Sequence, residues 1–216
     1  MTKSESAYQL LRDRILSGAL APGQVLQQRE LAATLGISTT PLREALRRLM
    51  TEGLVDLDSH RDARITELRA EQARDLIELR SALDPLAAAL AAERRTSDDL
   101  AEMRAALDAL EPLASGTTVE QLGAHRRFHR AVYTAGHNPL LVASLEQLWD
   151  QSDRYRLLVL AGGDPSADGS EAGDKAQEHR ALVAAIADRD GETAAEVMRG
   201  HIGTSLGARA VRQLGQ

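Results

Sequence analysis

The sequence predicts a mainly α-helical protein, with an N-terminal winged helix-turn-helix followed by an antiparallel, all-helical bundle of about six helices. Two observations carry this prediction. Between residues 28 and 65, a short helix, a tight turn, an arginine-bearing helix and a charged hairpin follow in order. From about residue 68 onward, helix-favouring residues dominate and strand patterns are absent. We therefore expect two domains, residues 1–67 and 68–216.

The helix-turn-helix is predicted from a glycine turn between two amphipathic segments. Residues 29–35 place two leucines one helical turn apart, and Gly36 is the residue type that closes a helix in the left-handed conformation. Ser38 or Thr39 can cap the next helix, and Pro41 suits its first turn because the missing N–H is no loss there. The second helix should therefore begin directly after the turn.

The second helix has a basic face beside its apolar stripe. Arg43 and Arg47 lie one turn apart, so a DNA major groove can receive both from one side. Arginine suits this role because its fork bonds guanine bidentately or holds phosphate. The alternative for these two residues and Arg48 is an ordinary solvated face, which charge runs usually form. The stripe consists of Leu42, Ala45, Leu46 and Leu49.

A strand, turn and strand pattern follows this helix directly. Residues 54–57 and 63–66 have strand patterns, and the charged residues 58–62 between them have a turn pattern. A hairpin in this position is a wing. Its presence favours DNA binding over the solvated-face alternative.

This region resembles the N-terminal domain of GntR-type bacterial transcription regulators. Six segments carry the resemblance, and they occur in the order typical of that family. The match is therefore more specific than that of a single short motif. The segments are residues 15–18, 20–23, 29–32, 36–38, 41–46 and 52–55.

Two residues depart from the family pattern. Thr39 stands where many members carry an arginine after the serine, which removes a possible base-reading fork. Asp62 stands near the wing tip, where glycine is usual, and adds a negative charge next to phosphate. With these departures included, the resemblance implies a DNA-binding set of Arg29, Ser38, Thr39, Thr40, Arg43 and Arg47.

Charge and composition limit the class of protein. Residues 1–66 contain nine Lys or Arg against eight Asp or Glu, and the remainder contains 17 against 24. A nearly neutral N-terminal domain does not bind DNA by bulk charge, so specific binding should depend on a homodimer. The chain has no cysteine, no apolar stretch of roughly 18 residues and no signal-peptide pattern at its start. We expect a cytoplasmic protein with no membrane partner.

The second part of the chain predicts six helices. Glycine, proline, serine and threonine separate them, and short connections imply antiparallel neighbours and hence a bundle. The helices are predicted near residues 70–95, 97–113, 118–135, 139–161, 174–188 and 191–211.

Four histidines of the bundle have spacings suited to a metal. His125 and His129 are at i and i+4, so both imidazoles project from one helix face about 6 Å apart. His179 and His201 each lie eleven residues from Asp190, in the connection between the last two helices. They should therefore lie at the same height of an antiparallel hairpin. An all-imidazole set suits Zn²⁺ first, with Ni²⁺, Cu²⁺ or Fe²⁺ as alternatives, better than Mg²⁺ or Ca²⁺.

For any single histidine, the alternative is a surface position or a hydrogen-bonded core position. We assign His60 and His137 to this class because neither has a partner at ligand spacing. Two pairs that converge on one point are harder to explain in this way. The sequence therefore predicts a divalent transition-metal site.

The bundle resembles the ligand-sensing FCD domain of the FadR-like branch of GntR regulators. Many members of that branch bind a divalent metal through one aspartate and three histidines, with a small organic acid nearby. The aspartate position falls on His125 here, which leaves the site one unit more positive and should attract a carboxylate more strongly. The residues that carry the resemblance are Arg80, Phe128, His129, residues 136–140, residues 178–180 and His201.

Arg80 is the candidate for binding an effector carboxylate, because guanidinium and carboxylate groups pair bidentately. Its alternative is an i, i+4 ion pair with Asp84 on the helix surface.

The predicted function is a DNA-binding transcription regulator, expected to be a repressor, that binds a double-stranded operator. A small organic acid near a histidine-ligated divalent metal is expected to control its affinity for the operator. The alternatives are a helical-bundle metalloenzyme and a regulator whose metal is purely structural. Arg126 holds the position of the glutamate base in the zinc-protease signature, which counts against the enzyme.

Overall fold

A computed structural model describes residues 2–57, 62–113, 119–161 and 169–205, together with residues 211 and 214. The chain forms two compact units, residues 1–69 and 70–216. The predicted wing turn at residues 58–61, which contains His60, lies outside the described residues.

Among its described residues, the first unit combines three helices with a three-stranded antiparallel sheet of order β1-β3-β2. This confirms the predicted helix-turn-helix and the strands of the wing. Helix α1 and strand β1 were not predicted. The elements are α1 (Lys3–Leu16), β1 (Val25–Gln27), α2 (Gln28–Thr34), α3 (Thr39–Thr51), β2 (Val55–Leu57) and β3 (Asp62–Ile65).

The turn between α2 and α3 forms at the predicted glycine. Gly36 has a φ of 62°, a left-handed conformation that a residue with a Cβ adopts only with strain. The Ile37 N–H donates to the Ala32 carbonyl at 3.0 Å and closes the turn. Ser38 is the N-cap of α3, but its side chain makes no capping hydrogen bond to a described residue.

The core of the first unit lies between α1, α3 and the sheet. Leu11 of α1 and Leu42, Leu46 and Leu49 of α3 are completely buried. Burying a leucine side chain of this kind contributes about 1.5–3 kcal/mol. The predicted stripe of α3 is therefore a core stripe, which leaves the rest of the helix surface available for contacts with a ligand.

In its described ranges, the second unit contains six α-helices, in agreement with the predicted bundle. Two predicted helix boundaries were wrong by more than four residues. Helix α8 begins before the predicted residue 174, and α9 ends before the predicted residue 211. The helices are α4 (Ala70–Arg94), α5 (Ser97–Leu110), α6 (Val119–Ala135), α7 (Pro139–Ala161), α8 (Gly169–Ala187) and α9 (Gly191–Gly203), with a 3₁₀ turn at Glu111–Leu113 after α5.

The core of the second unit places α9 against α4. Helix α9 approaches closely at its first residue, because a Cβ on Gly191 would lie 3.4 Å from the Ala89 carbonyl oxygen. Within the described ranges, no helix is long and apolar enough to cross a membrane. Large buried side chains fill the core, among them Met103, Phe128, Leu145, Leu182, Ile186 and Met198.

Candidate nucleic-acid interface and metal centre

All six residues predicted to contact DNA are exposed in the first unit. Arg29 lies on α2, and Ser38 caps α3. The other four residues lie in the first three turns of α3, where a recognition helix contacts base edges. They are Thr39, Thr40, Arg43 and Arg47.

Helix α2 orients Arg43. The Nε of Arg43 donates to the Oε1 of Gln28 at 3.0 Å, and Gln28 is buried although it is polar. Because this bond uses Nε, Arg43 can bond guanine or phosphate through its two terminal amino groups. Gln28 was not predicted as a site residue, because its spacing from Arg43 matches no local pattern.

Arg48 belongs to the fold of the first unit. Its Nη1 lies 2.9 Å from Glu5 Oε2, and its guanidinium carbon lies 3.6 Å from the centre of the Tyr8 ring. The Tyr8 hydroxyl donates to Glu52 Oε1 at 2.8 Å. Burial and this bond raise the pKa of Tyr8 to about 12. Arg48 is exposed, as the solvated-face alternative expects, but it also joins α3 to α1, which the sequence did not indicate.

The four predicted metal ligands come together in the second unit. One ring nitrogen from each histidine lies within 4.8 Å of those of the other three. His125 and His129 come from α6, His179 from α8 and His201 from α9. His125 is half-buried and the other three are buried. The i, i+4 pair and the hairpin pair thus converge on one point.

His137, which we assigned to the surface class, lies apart from this cluster. It is exposed, and its Nε2 lies 2.8 Å from Asp99 Oδ2. Asp99 is part of the capping box of α5 with Thr96. His137 therefore has a local structural contact.

The environment keeps the four imidazoles neutral. Burial lowers the pKa of each of them. The charge of Arg156 lowers the pKa of His125 further, and the neighbouring imidazole of His201 lowers that of His129 further. Neutral imidazole is the form that binds a metal ion.

Hydrogen bonds to oxygen atoms outside the cluster orient two of the rings. His201 Nδ1 lies 2.7 Å from Glu178 Oε2, and His129 Nδ1 lies 3.3 Å from the Tyr133 hydroxyl oxygen. That hydroxyl donates to Asp84 Oδ2 at 2.8 Å. Both Nδ1 atoms therefore face acceptors and carry the ring proton, as outer partners of metal-binding histidines commonly require. The lone pair of each ring is left on Nε2.

The donor set fits a divalent transition metal. Within the described part of the chain, the buried Nε2 of His179 has no hydrogen-bond partner. An unsatisfied buried nitrogen costs about 1–3 kcal/mol, which coordination would offset. His125 Nε2 and His129 Nε2 are 3.2 Å apart, so both nitrogens face the interior of the cluster.

Arg80 forms an ion pair with Asp84, which was the alternative to effector binding. The pair was expected on the helix surface, but it is buried. Arg80 Nη2 lies 2.7 Å from Asp84 Oδ2, and the side chains are 3% and 0% exposed. Burial alone would lower the pKa of Arg80, and the Asp84 carboxylate reverses this and raises it. The Arg80 guanidinium carbon lies 4.3 Å from the centre of the Trp149 ring. Through Asp84 and Tyr133, Arg80 is connected to His129.

A second group of charges beside the cluster was not predicted. Arg156 Nη2 lies 2.8 Å from His125 Nδ1, and Arg156 Nη1 donates to Asp153 Oδ1 at 3.2 Å. Arg126 Nη1 lies 2.6 Å from Asp150 Oδ1 and 3.4 Å from Asp153 Oδ2. Asp150, Asp153 and Arg156 of α7 recur at intervals of three residues, which places their charges on one face of the helix. That spacing was the available signal, but charged faces usually lie in solvent.

Two family models match the chain. The model of bacterial regulatory proteins of the gntR family matches residues 3–65, and the FCD domain model matches residues 75–204. The matched ranges fall within the first and second units.

Curated proteins similar to this chain are also named as transcription regulators. The "Probable D-xylose utilization operon transcriptional repressor" of Paenarthrobacter nicotinovorans is 32% identical over 199 residues, 91% of this chain and 84% of that protein. The transcriptional repressor GlaR of Escherichia coli is 27% identical over 94% of both chains. The E. coli regulator McbR is 34% identical over 140 residues, 64% of this chain and 63% of that protein.

A solved structure of E. coli McbR/YncC superimposes with a TM-score of 0.76 at 27% identity, covering 99% of this chain and 95% of the other. The likeness therefore extends over both units. The chain belongs to the gntR family of bacterial regulatory proteins, with an FCD domain in its second unit, and is a DNA-binding transcription regulator and not an enzyme.

Proposed function

We propose that this protein is a homodimeric repressor that binds a palindromic DNA operator. A small organic acid, bound beside a divalent transition metal in the histidine cluster, controls its affinity for the operator. The observation that carries the proposal is the convergence of four neutral imidazoles beside buried arginines.

The exposed side chains of α3 support operator reading. Arg43 and Arg47 are exposed on the same side of the helix, and Gln28 fixes the direction of Arg43. Arg29 and the residues Ser38, Thr39 and Thr40 supply contacts that fix the register on the phosphate backbone. Two of these relatives are named as repressors, which supports repression over activation. The proposed place of action is the cytoplasm, where the operator lies.

The histidine cluster is the proposed metal site. Its members, His125, His129, His179 and His201, come from three helices, so a bound ion would join α6, α8 and α9. Zn²⁺ is the first candidate because it accepts tetrahedral nitrogen ligands, and Ni²⁺, Cu²⁺ and Fe²⁺ are alternatives. When bound, the metal supplies a concentrated positive charge that attracts an anion.

The surrounding charge supports a carboxylate as the effector. The arginines near the cluster are already matched by aspartates, Arg80 by Asp84 and the Arg126 and Arg156 pair by Asp150 and Asp153. Neutral imidazoles contribute no negative charge, so a divalent cation among them would keep its full charge. An anion that enters the site would balance this charge. Arg80 and Arg156 are the proposed cationic groups beside it.

The test has two parts. Protein purified without a histidine tag is analysed for metal content, and its thermal melt is recorded with and without a chelator. Its affinity for a DNA site selected from a random pool is then measured with a panel of carboxylic acids, with and without metal. About one metal per chain and a metal-dependent response to an acid support the proposal. Metal that raises the melt without any acid response would indicate a purely structural ion.

A further inference from the structure

His125 differs from the other members of the cluster in the partner of its Nδ1. That nitrogen lies 2.8 Å from Nη2 of Arg156. A guanidinium group has five N–H donors and no acceptor, and it stays charged in proteins. The Nδ1 of His125 must therefore accept this bond with its lone pair.

The ring proton of His125 is consequently on Nε2. A neutral imidazole carries one proton, so a ring whose Nδ1 accepts has its N–H at the other nitrogen. This Nε2 lies 3.2 Å from His129 Nε2, within the cluster. His125 thus presents a donor to the point where the other three rings converge, whereas a metal ligand must present a lone pair.

Two of the other three rings have the opposite arrangement. His129 and His201 direct Nδ1 to the oxygens of Tyr133 and Glu178, which leaves Nε2 as the acceptor. For His179, the buried Nε2 has no hydrogen-bond partner among the described residues. These three nitrogens are available to a metal ion, whereas the Nε2 of His125 carries a proton.

Arg156 is held firmly in the position that imposes this arrangement. Its Nη1 donates to Asp153 at 3.2 Å, and its guanidinium carbon lies 5.1 Å from the centre of the Trp149 ring. Its side chain is 8% exposed. Rotation of the His125 ring would place a carbon against the guanidinium and leave a buried donor without its acceptor, which is unfavourable.

We infer that His129, His179 and His201 are the metal ligands of this protein, and that His125, fixed by Arg156, donates from Nε2 to an oxygen of an exogenous carboxylate. This inference rests on the proposed metal site and divides the roles within it. Three protein ligands leave one coordination position open, as in zinc sites that exchange a ligand, whereas four would close it. Access to a carboxylate would then be a consequence of the Arg156–His125 contact.

The test uses the full chain loaded with Co²⁺, whose visible absorption reports on its ligands, and acetate as the probe. For the wild type, acetate should change the Co²⁺ spectrum. His129→Ala should weaken Co²⁺ binding by more than about 100-fold, while His125→Ala should weaken it less, by about 10- to 100-fold at most, as expected for an outer group. His125→Ala should also weaken acetate binding. Thermal melts of the metal-free variants show whether each one folds.

Arg156→Met provides a second variant that leaves all four histidines in place. Without the guanidinium, His125 can carry its proton on Nδ1 and coordinate through Nε2. Co²⁺ should then bind at least as tightly as in the wild type, and acetate should no longer change the spectrum.

Three results would overturn the inference. Equal losses of Co²⁺ affinity in His125→Ala and His129→Ala would identify His125 as a ligand. A wild-type spectrum insensitive to acetate would show a closed site. If the wild type binds neither Co²⁺ nor Zn²⁺, the proposed metal site itself fails, which distinguishes that failure from the first two.

Discussion

The Nε of Arg43 donates a hydrogen bond to the Oε1 of Gln28 at 3.0 Å, across 15 residues of sequence. The bond joins the first helix of the helix-turn-helix to the exposed face of the second. Long arginine side chains lose much conformational freedom when they bind. A fixed Nε restricts Arg43 before DNA arrives and so reduces that loss.

Replacing Arg43 tests the reading of DNA bases. Arg43→Ala should cost about 1–3 kcal/mol of specific binding if Arg43 bonds a base, and should weaken all sequences equally if it contacts only phosphate. Fluorescence anisotropy with the selected site and with a scrambled duplex distinguishes the base contact from the phosphate contact. Arg104→Ala, an exposed substitution on α5, is the control and should leave both affinities unchanged. Unchanged binding by Arg43→Ala would remove Arg43 from the interface.

Gln28 should act through Arg43. Gln28→Ala should lower discrimination between the selected and scrambled duplexes by about 1 kcal/mol, the contribution of one hydrogen bond. Gln28→Glu keeps an acceptor at the same position and should retain most of the discrimination. If both variants lose it equally, packing of the side chain matters and the hydrogen bond does not.

His179 should couple metal binding to the stability of the bundle. His179→Ala should lower the metal content and the melting temperature together, because a lost ligand removes binding free energy that stabilises the folded state. Metal analysis and a thermal melt with and without chelator measure both. His137→Ala is a matched control outside the cluster and should retain its metal. A His179 variant with unchanged metal content would show that this histidine is an ordinary core residue.

Removing one member of the buried Arg80–Asp84 pair should lower the stability of the protein. Asp84→Ala leaves the Arg80 charge buried and the Tyr133 hydroxyl without its acceptor, so we expect a loss of about 3–5 kcal/mol in the free energy of unfolding. The double variant Arg80→Met, Asp84→Leu should lose less, because no unpaired charge remains. Urea unfolding followed by Trp149 fluorescence measures this. A double variant that loses as much stability as Asp84→Ala would show that the unpaired Arg80 charge is not the cause of the loss.

Tyr8 gives a prediction for alkaline pH. Its folded pKa of about 12 exceeds the ordinary value of about 10. The group therefore contributes stability that is fully present below pH 10 and is lost as pH rises through 12. The difference in phenolate absorbance between the wild type and Tyr8→Phe should titrate near 12, and Tyr8→Phe should lack this part of the alkaline loss. A difference that titrates near 10 would contradict the partly buried Tyr8–Glu52 bond.

Several features of the protein follow from local sequence alone. The turn at Gly36, the apolar stripe of α3, the six helices of the bundle and the i, i+4 spacing of His125 and His129 depend on neighbouring residues. Helical periodicity and turn chemistry act over a few residues, so such features can be predicted. The residues Ala7, Leu11 and Ile15 also recur at four-residue intervals, so local sequence contains the helical pattern of α1 as well.

Only the tertiary structure decided which charges are buried and what they contact. Arg156 reaches His125 across 31 residues, and Tyr133 reaches Asp84 across 49. Nothing in the sequence near Arg80 distinguishes a surface ion pair from the buried one that forms. Whether a charge is solvated or paired depends on the helices packed around it, and the same contact fixes which nitrogen of His125 holds a proton. Local pattern determined the elements and the approach of the histidines, and long-range packing determined their chemistry.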